Sequence, residues 1–88
     1  MNKQYKILIY TSNNCTFCNS AKELLINKKL KFDEINISQN NNLKEEMIKK
    51  TNGLMTVPQI FINSKRIGGF DELYKLVGSK KLDRIINK

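Results

Sequence analysis

Histidine is absent from this 88-residue chain, proline occurs once and cysteine only twice. Without histidine, no imidazole can take a proton from a nucleophile. No imidazole can join a zinc shell either. A tetrahedral zinc site needs about four nitrogen or sulfur ligands, and the cysteine pair of one chain cannot complete it. No apolar run approaches the ~18 residues of a membrane span. Met1-Asn2-Lys3-Gln4 leads into the first apolar run without the h-region of a secretory signal. The expected compartment is therefore the cytoplasm, with no membrane partner. In that reducing setting a lone cysteine pair points to catalysis or metal binding rather than to a structural disulfide. Acidic residues are also scarce, 8 against 16 basic ones, for a net charge of +8. Such a surplus suits nucleic acid. The lysines, however, are scattered as Lys22, Lys28-Lys29, Lys49-Lys50, Lys65-Arg66 and Lys80-Lys81, with no block and no aromatic interleaving. A solvated basic surface with a mild pull on anionic molecules is expected, and no specific nucleic-acid partner.

The length allows one domain, residues 1–88, burying roughly 60–65 % of its unfolded surface. Residues 5–10 are, Lys6 apart, apolar and rich in β-branched side chains, which predicts a buried strand. A turn over Thr11-Ser12-Asn13-Asn14 leads to Cys15-Thr16-Phe17-Cys18. Phe17, Ala21, Leu24 and Leu25 then recur at helical spacing, and Lys28-Lys29 are expected in the last turn, where positive charge suits the helix dipole. A second strand is expected over 31–37, with Phe32, Ile35 and Ile37 as its apolar residues. Leu43, Met47 and Ile48 predict a second helix, ended by a left-handed cap at Asn52-Gly53. Pro58 opens a third strand, 59–62. Asn63-Ser64 turns it into a fourth, 65–67, and Gly68-Gly69 breaks that strand. Phe70, Leu73, Tyr74 and Val77 make a third helix, interrupted at Gly78-Ser79 before a last short helix around Leu82, Ile85 and Ile86. The order β-α-β-α-β-β-α(-α) implies an α/β fold with a right-handed parallel crossover first and an antiparallel hairpin later.

All the thiol chemistry lies in Cys15-Thr16-Phe17-Cys18, on a strand-to-helix turn. The attacking species in disulfide exchange is the thiolate. A cysteine just before a helix meets unpaired N–H groups and the positive end of the dipole, an environment that lowers cysteine pKa values from ~8.5 into the range ~3.5–7.5. Cys18 follows one helical turn on, leans back toward Cys15 and lies further inside. Cys15 is therefore expected to attack and Cys18 to resolve. Gly68-Gly69 before Phe70-Asp71-Glu72 marks a helix start, and the free N–H groups of such a terminus also suit an anion. Tyr10 either lines the site or caps the first strand.

Three elements coincide in order and spacing: Cys15-Thr16-Phe17-Cys18, Thr56-Val57-Pro58-Gln59-Ile60-Phe61-Ile62, and Ile67-Gly68-Gly69-Phe70-Asp71-Glu72-Leu73. Together they resemble the glutaredoxins, in particular the small bacterial dithiol type, over nearly the whole chain. The resemblance implies a thioredoxin fold, with a four-stranded mixed sheet flanked by three to four helices. It implies a glutathione-dependent thiol–disulfide oxidoreductase, and a cis Pro58 facing Cys15. Thr56, Val57 and Pro58 would then run beside a bound peptide. Gly69, Phe70 and Asp71 would hold the γ-glutamyl end of glutathione. The implied partners are glutathione and disulfide-containing or glutathionylated proteins, met by a monomer.

Three positions depart from the family pattern. Ser12 stands where a lysine is usual. Leu54-Met55 stand where a glutamine or arginine holds the glycyl carboxylate, a role expected to pass to Lys50 or another nearby lysine. Thr16 replaces the commoner proline. The first two leave open a dithiol reductant served by thioredoxin reductase, and the third a [2Fe–2S] cluster held between two chains with glutathione.

Overall fold

A computed structural model of the chain describes residues 5–86. The reading of Met1–Gln4 falls outside them, as do Asn87 and Lys88. Among the described residues four strands and four helices follow one another as β1 (Ile7–Thr11), α1 (Thr16–Asn27), β2 (Asp33–Asn36), α2 (Asn41–Lys50), β3 (Gln59–Ile62), β4 (Lys65–Gly68), α3 (Phe70–Gly78) and α4 (Lys81–Ile86). The sheet order is β2-β1-β3-β4. β1 pairs with β2 in parallel, and β3 is antiparallel to both β1 and β4. This is the mixed sheet that the element order implied.

Alternation along the strands separates two cores. Ile7 and Ile9 of β1 with Ile60 and Ile62 of β3 face Ala21 and Leu25 of α1, Leu73 of α3 and Leu82 of α4. On the other face, Tyr10 and Phe61 pack with Met47 of α2. Tyr10 meets Phe61 edge-on at 6.0 Å and donates its hydroxyl to Glu46 Oε2 at 2.6 Å. Burial first, then this carboxylate, pushes the Tyr10 phenol well above its ordinary pKa. Of its two expected roles neither fits: the side chain sits fully buried under α2.

β2 is shorter than the expected 31–37. Pairing with β1 runs only from Asp33 to Asn36, and pairing sets the length of an edge strand. Phe32 joins the α1 side, whereas Ile35 and Ile37 join the α2 side, so the three do not share one face. α1 ends at Asn27, so Lys28 is the C-cap and not part of the last turn. Lys29 takes the left-handed position at φ 59°, and the N–H groups of Lys29 and Leu30 return to Ile26 O and Leu25 O. That is the closure of a Schellman motif, made with lysine where glycine is usual. α2 closes the same way through Asn52 at φ 60°, as expected, with Gly53 N–H on Ile48 O at 2.8 Å. Asn63 and Ser64 both have positive φ, the signature of a type I′ hairpin turn.

Candidate active site

The parallel β1–β2 crossover leaves α1 starting where β1 ends, at the C-terminal end of an interior strand. Asn14, at φ 57°, makes the turn. Cys15 is then the N-cap of α1, extended at φ −112° and ψ 106°. Its sulfur accepts from the Cys18 N–H at 3.1 Å, the place where a capping serine oxygen normally sits. The N–H groups that a helix cannot satisfy internally thus point at the sulfur that would carry charge. Cys15 and Cys18 are joined as a disulfide with Cα atoms 5.2 Å apart, within the usual range for such a bridge. Cys15 is half-buried, whereas Cys18 is 1 % exposed. The expected division into an accessible and a sheltered sulfur has its geometric basis here.

The loop before β3 faces this pair. The Val57–Pro58 bond is cis, and the Val57 carbonyl oxygen lies 3.9 Å from Cys15 Sγ. Pro58 also meets the β4–α3 junction. A Cβ built on Gly69 would stand 3.3 Å from the Pro58 carbonyl oxygen, and Gly68 adopts φ +131°, which disfavours any side chain. Two glycines therefore let α3 start against the proline loop. Glu72 accepts the Gly69 N–H at 2.8 Å. That bond, followed by its own N–H, holds the Glu72 carboxyl below the usual carboxylate range. The next N–H groups, of Phe70 and Asp71, have no acceptor within a helix.

A groove of about 250 Å³ runs between the proline loop and α3. Thr56, Val57, Pro58, Gly69, Phe70 and Asp71, named from the sequence, all line it, and Cys15 adjoins it through Val57. Phe17 stacks on Phe70 at 6.0 Å, and Phe70 on Tyr74 at 5.9 Å. Phe17 and Tyr74 are 61 % and 60 % exposed, so an aromatic wall extends from the cysteines along α3.

Lys50 does not reach the groove. Its ammonium sits 5.8 Å over the Tyr10 ring and 4.0 Å from Glu46, beneath the sheet, and it lines a different hollow with Lys6 and Ser64. The cation that does line the groove is Arg66 of β4, fixed to Gln59. Neither was singled out in the sequence. The signal was the two-residue Asn63-Ser64 turn, which folds β4 back on β3 and pairs Phe61 with Arg66. Among the described residues no group of three or more His, Cys, Asp or Glu side chains stands placed for a metal ion, and no helix is long and apolar enough to cross a membrane.

The glutaredoxin family model matches residues 7–67. The chain belongs to the glutaredoxin family. It is 46 % identical to glutaredoxin 3 of Escherichia coli over 78 residues, 89 % of this chain and 93 % of the relative. It is 42 % identical to glutaredoxin 1 of Rickettsia prowazekii over 89 aligned positions, 98 % of this chain and 94 % of the relative. The solution structure of a Brucella melitensis glutaredoxin superposes with a TM-score of 0.83 at 38 % identity, covering 98 % of this chain and 92 % of that one. A buckwheat glutaredoxin, solved as a complex with glutathione, shares the fold with a TM-score of 0.80 at 23 % identity, covering 91 % and 74 %. The thioredoxin-type mixed sheet and a thiol–disulfide oxidoreductase activity follow from membership in the family. A Cys15–Cys18 dithiol on this fold is the centre to which such an activity belongs.

Proposed function

We propose that this glutaredoxin reduces glutathione mixed disulfides and protein disulfides with glutathione as electron donor. One observation carries the reading. The accessible Cys15 sulfur caps α1 at the head of a groove that ends on the N-terminus of α3. In the reduced protein the N–H groups of α1 favour the Cys15 thiolate. The thiolate attacks the glutathione sulfur of a mixed disulfide. The substrate S–S bond breaks, a Cys15–glutathione disulfide forms, and the released protein thiolate takes a proton from solvent. A second glutathione thiolate then attacks the bound glutathione sulfur, releasing the Cys15 thiolate and glutathione disulfide.

With a protein disulfide, Cys15 attacks one sulfur. Cys18 then gives up its proton and attacks Cys15 Sγ, leaving a reduced client and the Cys15–Cys18 bridge. Two glutathione molecules restore the dithiol. Val57 offers its backbone beside the cysteines for strand-like pairing, with Thr56 and Pro58 flanking it. The N–H groups of Phe70 and Asp71, opened by Gly69, suit the γ-glutamyl carboxylate, and the Asp71 carboxylate suits its ammonium. Glutaredoxin potentials of about −200 to −230 mV allow a cytosolic glutathione pool to drive the cycle.

The protein is proposed to act in the cytoplasm as a monomer. Only Thr16 favours a cluster-bridged dimer, and anaerobic reconstitution with iron, sulfide and glutathione is expected to leave a colourless monomer. NADPH oxidation coupled through glutathione and glutathione reductase tests the electron source against thioredoxin reductase. Faster turnover with glutathione is expected. Turnover with thioredoxin reductase alone would refute the glutathione reading and leave the thiol–disulfide chemistry in place.

A further inference from the structure

Arg66 is held in place more firmly than an exposed arginine needs to be. Its Nε–H donates to Gln59 Oε1 at 2.9 Å. Gln59 is only 2 % exposed, and its amide nitrogen donates to Thr56 O at 3.1 Å and to Thr56 Oγ1 at 3.2 Å. Both ends of this buried amide are therefore committed, with its oxygen turned to Arg66. The chain Arg66–Gln59–Thr56 ties the guanidinium to the loop that carries cis Pro58. The two Nη groups, four N–H donors in a planar fork, make no hydrogen bond or ion pair among the described residues. Glu72 lies near enough for the Arg66 charge to help lower its carboxyl, but its carboxylate is hydrogen-bonded to the Gly69 N–H. Among the described residues no lysine lines the groove, so Arg66 is its cation there, and Asp71 stands in the same groove with the opposite sign.

We propose that Arg66, positioned by Gln59, forms a carboxylate subsite that holds the glutathionyl group of the substrate in this groove. The inference rests on the glutathione reading above. It assigns to β4 a charge that Ser12 and Leu54-Met55 do not supply from their loops. Asp71 in the same groove makes the zwitterionic γ-glutamyl end the better match, with Arg66 joining the Phe70 and Asp71 N–H groups on its carboxylate and Asp71 taking its ammonium.

The experiment compares wild type, Arg66→Gln and Arg66→Lys on a peptide carrying one of three mixed disulfides: with glutathione, with γ-glutamylcysteine, or with cysteinylglycine. For the glutathionylated peptide Arg66→Gln is expected to raise KM about tenfold, the loss of one charged hydrogen-bonding group, and to leave kcat within about twofold. Arg66→Lys should recover part of the loss, since it keeps the charge and not the fork. An unchanged melting temperature shows that the fold is intact. The KM penalty should persist with γ-glutamylcysteine and vanish with cysteinylglycine. The reverse pattern keeps the subsite and moves it to the glycyl carboxylate. A penalty that persists with both truncated thiols, or none with glutathione, overturns the subsite while the functional reading stands. A wild type unable to turn over the glutathionylated peptide overturns that reading and the subsite with it.

Discussion

Gly68→Ala tests the junction that brings α3 to the cysteines. Two costs combine there. The backbone stands at φ +131°, and holding a side chain in such a region costs about 1–3 kcal/mol. The new Cβ would also lie 2.7 Å from Glu72 Oε1 and 2.8 Å from Glu72 Cγ. The flexible Glu72 side chain can swing away, but it then abandons the Gly69 N–H, and losing such a cap costs about 1 kcal/mol. The sum is about 2–4 kcal/mol, or roughly 10–30 °C in Tm for a domain of this size. Urea unfolding followed by circular dichroism reads it directly. A Gly68→Ala/Glu72→Ala pair separates the two parts. The double variant should cost about 1 kcal/mol less than the sum of the singles, because the clash and the cap involve the same carboxylate. A Gly68→Ala cost below about 0.5 kcal/mol, or strictly additive variants, would refute the argument.

Three further outcomes are expected. Gly78→Ala, at the end of α3 where an added Cβ meets nothing within 4 Å, should stabilise the fold by about 0.4–1 kcal/mol in the same unfolding assay. Tyr10→Phe keeps the edge contact with Phe61 and loses the hydroxyl bond to Glu46, so it should cost about 1–2 kcal/mol, again read from the urea midpoint. The Glu34 carboxyl is held below the usual carboxylate range, first by the Thr11 hydroxyl and then by Lys22, against the opposing effect of partial burial. Glu72 is lowered too. Groups lowered in the folded state add stability above their unfolded pKa and lose it as pH falls through the folded one. The urea midpoint should therefore fall below about pH 4.5, and Glu34→Gln should flatten that fall; parallel curves for the two proteins would contradict it.

The elements legible in the sequence were those with a local chemical cause. Asn63-Ser64 announced the hairpin and Asn52-Gly53 the end of α2, and both turns use the left-handed residues that asparagine tolerates. Lys29 and Lys80 take the same conformation at φ 59° and 63° with no such signal. What places them is tertiary: the chain must turn back so that Leu30 and Leu82 reach the core. The length of β2 was hidden for a similar reason, since pairing with β1 decides it and not the composition of 31–37. Lys50 was the natural substitute for a missing cation when judged by sequence distance. The end of α2 instead lies under the sheet beside Tyr10, and the β3–β4 hairpin delivers Arg66 to the groove. The cysteine pair, the proline loop and the double glycine were readable because each needs a particular residue type at one backbone position. Arg66 and Gln59 were not, because their importance arises only when β3 and β4 pair.

The central claim is that Cys15 is the attacking sulfur and Cys18 the resolving one. Reduction of a glutathionylated peptide, followed with glutathione, glutathione reductase and NADPH for wild type, Cys15→Ser and Cys18→Ser, tests it most directly. Cys15→Ser should be inactive. Cys18→Ser should retain turnover of the glutathionylated peptide and lose most reduction of an intramolecular protein disulfide. Activity in Cys15→Ser, or its loss in Cys18→Ser on the glutathionylated peptide, would contradict the account.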